Sequence, residues 1–202
     1  MKVLVFLNSI ILGLFFVTSL QAAELNGVKF DDTIKVGEES LHLNGLSIRE
    51  VKKAGFPIKV YVGCLYVKEK TTEAAKVLAS ESVKKIVMKF TFFAPKGKIK
   101  KAWKDAFKDQ CDSDCRKVNS VHMKGFLKSL KFMRSGDITS FTIYKDRLVV
   151  KNIKGKKEEV SEIKSGTFAT VILKSFISAP IKKFRDGFFK FGKETKPGFA
   201  NL

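Results

Sequence analysis

Polar and apolar positions change period several times along this chain, and each change marks an expected element. Residues 1–23, MKVLVFLNSIILGLFFVTSLQAA, begin with one lysine, run apolar with few interruptions and end in small residues. That order predicts a secretory signal peptide cut after Ala22 or Ala23, with an uncleaved membrane anchor as the alternative. The remaining residues, 24–202, read as one domain, because no linker or repeat interrupts them.

Val28 and Phe30, then Ile34 and Val36, suggest two short strands around Asp31-Asp32. Leu41, Leu43 and Leu46 suggest a hairpin turning at Asn44-Gly45, a pair with turn chemistry. Ile58–Val67 is apolar on both faces, the mark of a covered central strand. Thr71-Thr72-Glu73 is suited to cap a short helix through Leu78. Residues 83–93 alternate, with Ile86, Met88, Phe90 and Phe92 on one face. Ile99, Trp103, Ala106 and Phe107 recur at helical spacing, and a second helix is expected from Val118 to Met133. Three strands follow, Ile138–Tyr144, Leu148–Ile153 and Glu158–Ile163, before helices near Phe168–Phe176 and Ile181–Phe189. The pattern is that of an α+β domain, a mostly antiparallel sheet with helices packed on one side.

Composition narrows the partners. The 202 residues are 45% hydrophobic and 29% charged, which excludes a disordered or low-complexity chain. A net charge of +19 directs attention to nucleic acid or anionic membranes. Export to the periplasm, the expected destination, argues against nucleic acid. Most lysine pairs are scattered, as on a solvated surface. In the last helix Phe184, Phe188 and Phe191 follow helical spacing among Lys182, Lys183, Arg185 and Lys190. That stripe either faces the core or docks on anionic lipid. A monomer is expected.

Catalytic motifs are absent: there is no nucleophile elbow, phosphate loop or zinc-protease helix. His42 and His122 lie on different elements, so neither a metal nor a cofactor is expected. Cys111-Asp-Ser-Asp-Cys115 is read as a local disulfide in preference to a metal site, given an oxidising compartment. Cys64 reads as a buried thiol.

Leu43-Asn-Gly-Leu-Ser-Ile-Arg49, followed by Ile58-Lys-Val-Tyr-Val-Gly-Cys-Leu-Tyr66, resembles the chalcone isomerase-like family. Gly27-Val-Lys-Phe-Asp-Asp, Gly136-Asp-Ile-Thr and Ala179-Pro180 fall in the matching order. The resemblance spans most of residues 26–192. It implies an open-faced β-sandwich whose large sheet is backed by helices, with a ligand cleft between the layers. Arg49 lies seventeen residues before Tyr66, the spacing of the family's active-site arginine. Tyr61 takes the place of the catalytic threonine, and Ser175 that of the late threonine or serine. The catalytic tyrosine and asparagine correspond to Ile99 and Ala106, which supply no side-chain donors. The resemblance therefore implies a non-catalytic member that binds a fatty acid or similar apolar carboxylate through Arg49, Tyr61 and Ser175. An enzyme with an altered site and an envelope protein binding anionic lipid are the alternatives.

Overall fold

The computed structural model describes residues 22–190, so the expected signal peptide and Phe191 lie outside the described residues. Nine strands and six helices follow one another in this span. Strands β1 (Ala22–Leu25) and β2 (Val28–Asp31) form a small hairpin of their own around Asn26-Gly27. Both turn residues have positive φ, 55° and 74°, the geometry a tight two-residue hairpin turn needs. Ala22 and Ala23, the residues flanking the expected cleavage, are paired with Asp31 and Phe30.

The main sheet holds seven strands in sequence order, each antiparallel to the next. They are β3 (Thr33–Val36), β4 (Glu39–Lys53), β5 (Phe56–Val67), β6 (Lys84–Phe90), β7 (Ile138–Ile143), β8 (Leu148–Lys154) and β9 (Lys157–Ile163). Helices α1 (Ala74–Ala79), α2 (Lys96–Gln110), α3 (Ser113–Val118), α4 (Ser120–Ser129), α5 (Gly166–Ile177) and α6 (Lys182–Gly187) complete the described chain. The antiparallel sheet has helices packed behind it, as the strand and helix patterning predicted, and the structure adds that the sheet is curled.

Strand β5 shows why its residues are apolar on both faces. Leu65 and Val67 enter the large core shared with the helices. Val62, Cys64 and Tyr66 enter a second core under the β1–β2 hairpin, where Tyr66 Oη donates to the Asp31 carbonyl at 2.8 Å. The large core is rich in aromatic rings. Trp103 of α2 makes edge contacts with Phe126, Phe141 and Phe176, at centroid distances of 5.0, 5.3 and 5.5 Å. Such pairs contribute about 0.5–1.5 kcal/mol each beyond the area they bury.

Several expected boundaries move for identifiable reasons. Asn44-Gly45 is no turn: β4 runs through it with a bulge, and the turns fall at Gly37 and at Ala54-Gly55. The expected cap at Thr71 also shifts. Thr71 Oγ1 accepts from the Glu73 N–H, while α1 starts after Glu73 without a side-chain cap. The expected helix from Val118 to Met133 is broken at Asn119, whose Nδ2 donates to the Cys115 carbonyl and whose Oδ1 accepts from Thr167. Val118 and Val121 are consequently exposed. Phe92 leaves the buried row after Phe90, because the Thr91 and Phe92 N–H groups both turn to the Val60 carbonyl. Phe184 and Phe188, two residues of the expected lipid-facing stripe, are buried in the large core.

Cys111 and Cys115 form a disulfide joining the end of α2 to α3, with Cα atoms 5.3 Å apart. Asp112 caps α3, its side chain accepting from the Cys115 N–H at 2.9 Å. Cys64 is a free buried thiol, and burial pushes its pKa well above the ordinary thiol range. Alkylation without reductant is expected to label Cys64 alone, and only after unfolding. Labelling of all three cysteines in freshly isolated protein would contradict the bridge.

Candidate functional site

Arg49 is the only arginine in the first half of the chain, and its position follows from strand pairing. It stands opposite Tyr61, and the register shifts immediately beyond it: Arg49 pairs with Tyr61, but Glu50 pairs with Lys59. Val60 has no partner on β4, and its carbonyl, which faces the β6 side, accepts from the Thr91 and Phe92 N–H groups. A bulge of this kind re-aims neighbouring side chains. Residues opposite one another share a face, so Arg49 lies on the helix-facing side with Tyr61. The Tyr61 ring packs 5.4 Å from Phe90 and 6.0 Å, edge-on, from Phe184.

The electrostatics of this pair favour an anion. Arg49 is half-buried and, among the described residues, has neither a carboxylate nor a hydrogen-bond partner; neighbouring Glu50 faces Lys183 at 3.8 Å instead. Burial drives the Tyr61 phenol far above its usual range, with the Arg49 charge pulling only partly back. The phenol therefore stays protonated near neutrality and can donate a hydrogen bond.

Ser175 stands apart. It lies half-buried on α5, where its hydroxyl donates to the Val171 carbonyl at 2.9 Å, the local bond that helix serines commonly make. No hydrogen bond joins it to Arg49 or Tyr61 among the described residues. Ile99 packs against the core and Ala106 is half-buried on α2, so neither brings a polar side chain to the helix layer.

Helix α6 closes this side of the sheet, and its attachment residues escaped the sequence reading. Asn44 Nδ2 donates to the Phe188 carbonyl at 2.7 Å and also to the Thr71 carbonyl, while Oδ1 accepts from the Thr71 N–H. Ser47 Oγ donates to the Phe184 carbonyl at 2.5 Å. Gly45 and Gly187 permit the close approach. A Cβ on Gly45 would lie 2.4 Å from the Gly187 carbonyl oxygen, and one on Gly187 would lie 2.6 Å from that of Leu46. The only sequence signal was the polar, glycine-containing Asn44-Gly45 pair itself.

Two surface cavities lie away from Arg49, Tyr61 and Ser175. One, about 290 Å³, lies beside α1 and includes Lys68, Lys70 and Lys84. The other, about 370 Å³, lies by Ile177, Arg185 and Phe189. Among the described residues no group of three or more His, Cys, Asp or Glu is placed to hold a metal ion. No described helix is long and apolar enough to cross a membrane.

No curated protein sequence matches this chain. Among solved structures, it is similar to an Arabidopsis thaliana fatty-acid binding protein, with a TM-score of 0.64 and 15% identity. The match covers 84% of this chain and 96% of the plant protein, a likeness of fold. A family model described as chalcone isomerase-like matches residues 22–186, nearly all of the described span, and the chain belongs to that family.

Proposed function

We propose that this protein is a non-catalytic binder of a fatty acid or similar apolar carboxylate, exported by its N-terminal signal. The observation that carries this reading is the half-buried Arg49 guanidinium, without a carboxylate partner among the described residues, paired across the strands with the Tyr61 phenol. A guanidinium offers two parallel N–H donors to a carboxylate, and Tyr61 Oη can supply a third. The acyl chain would follow the rings of Tyr61, Phe90 and Phe184, gaining roughly 0.8 kcal/mol for each methylene removed from water. Entry there displaces Phe184, so binding requires movement of α6. The fold shared with a plant fatty-acid binding protein supports this reading.

The test is solvent extraction of protein purified from its native compartment. A fatty acid near one equivalent is expected; delipidated protein that takes up none would sink the proposal. N-terminal sequencing of the same preparation is expected to begin at Ala23 or Glu24, and an intact Met1 would contradict export.

Catalysis of chalcone cyclisation is not expected. A developing charge on the substrate carbonyl needs fixed donors, and Ile99 and Ala106 supply none. Incubation with a chalcone should leave cyclisation at the buffer rate. Turnover well above that rate, lost in Arg49→Ala, would show that other groups perform the chemistry.

A further inference from the structure

The antiparallel order of the sheet gathers four segments at one end. Strands β4, β6 and β8 finish there, and β5, β7 and β9 begin there. The segments are the β4–β5 hairpin tip (residues 51–59), the chain leaving β6 (91–98), the approach to β7 (131–136) and the β8–β9 turn (153–157). Together they hold ten Lys and Arg residues and no Asp or Glu. Among the described residues only Lys131 of this group has a carboxylate partner, Glu159. Glu158, the other acid next along β9, is held by Lys151.

The same end carries exposed aromatic rings. Phe56 is 73% exposed, Phe93 51%, Phe92 42% and Phe132 39%. Phe93 and Phe132 are tied to each other and to the cations, while Phe56 stands on the β4–β5 tip and Phe92 is fixed through its backbone. The Phe92 N–H bonds the β5 carbonyl of Val60, Phe93 and Phe132 pack 6.3 Å apart, and Lys154 Nζ stands 3.3 Å over the Phe132 ring. Large exposed apolar groups ringed by charge mark interaction surfaces more often than they occur by chance.

We infer that this end of the sheet docks on an anionic lipid bilayer. The rings stand on a hairpin tip and on loops rather than lining a groove. A bilayer accepts such separate side chains next to one another, while its phosphates meet the surrounding lysines. The surface differs from the aromatic stripe of the last helix, whose Phe184 and Phe188 are buried. It also stands independently of the ligand-binding reading, although Arg49 lies toward the same end.

The test is sedimentation with vesicles, using chain produced from Ala22 onward, which holds every described strand and helix. Binding is expected to phosphatidylcholine vesicles containing about one-third phosphatidylglycerol, to weaken as salt rises, and to be slight on phosphatidylcholine alone. Phe56→Ser with Phe93→Ser should lower partitioning at least roughly tenfold. Lys156→Glu with Lys157→Glu should lower it at least about fivefold. The control Val118→Ser with Val121→Ser, exposed residues elsewhere, should leave it unchanged. Circular dichroism of each variant separates lost docking from lost fold. Folded variants that bind as wild type does, or equal binding to neutral vesicles, would overturn the inference. So would a protein that ignores vesicles but captures a single-stranded oligonucleotide through the same phenylalanines.

Discussion

Replacing Arg49 by leucine is expected to weaken binding of a fluorescent fatty acid about thirtyfold while leaving the unfolding midpoint unchanged. A hydrogen bond to a charged group contributes roughly 1.5–3 kcal/mol, and the lower half of that range applies to a half-buried guanidinium still screened by water. About 2 kcal/mol corresponds to roughly a thirtyfold change in affinity. Stability should not fall, because Arg49 has no partner among the described residues to lose. Arg49→Lys should give an intermediate loss, since it keeps the charge but not the forked donor pair. Titration of delipidated wild type and both variants decides the matter, and equal affinities would remove Arg49 from the site.

The largest effect on stability is expected from Gly45→Val. Its branched side chain would meet the backbone of Gly187 and Phe188 at distances of 2.4–2.7 Å already at Cβ, and neither carbonyl can rotate away. The chain must therefore lift α6 off β4. That breaks the bonds from Asn44 and Ser47 and brings Phe184 and Phe188 into water. Each ring contributes roughly 1.5–3 kcal/mol of burial, so a loss of about 3–6 kcal/mol is expected. Urea denaturation measures it, and a loss below about 1 kcal/mol would show that the contact is not structural.

These two positions mark how far the sequence could be read. Alternation located β6, whose Ile86, Met88 and Phe90 face the large core, and strand runs separated by turns located β7, β8 and β9 to within a residue. Asn44-Gly45 was misread because its local chemistry is the same for a hairpin turn and for a bulge. What decides between them is the Phe188 carbonyl, 144 residues away, to which Asn44 donates. Phe92 leaves the row the alternation assigned it because its N–H and that of Thr91 both bond the one Val60 carbonyl, which ends the regular ladder after Phe90. Arg49 and Tyr61 were legible as candidates from the family resemblance, and the strand register brings them together. Ser175 shared that resemblance, but its hydroxyl is engaged with its own helix.

The most direct measurement of the central claim is the titration of a bound fatty acid labelled with carbon-13 at its carboxyl group, followed by NMR. A nearby guanidinium favours the carboxylate, so the bound carboxyl should titrate below the ordinary carboxylate range in wild type. That depression should vanish in Arg49→Leu. A bound carboxyl that titrates identically in both proteins would contradict the placement of the head group at Arg49.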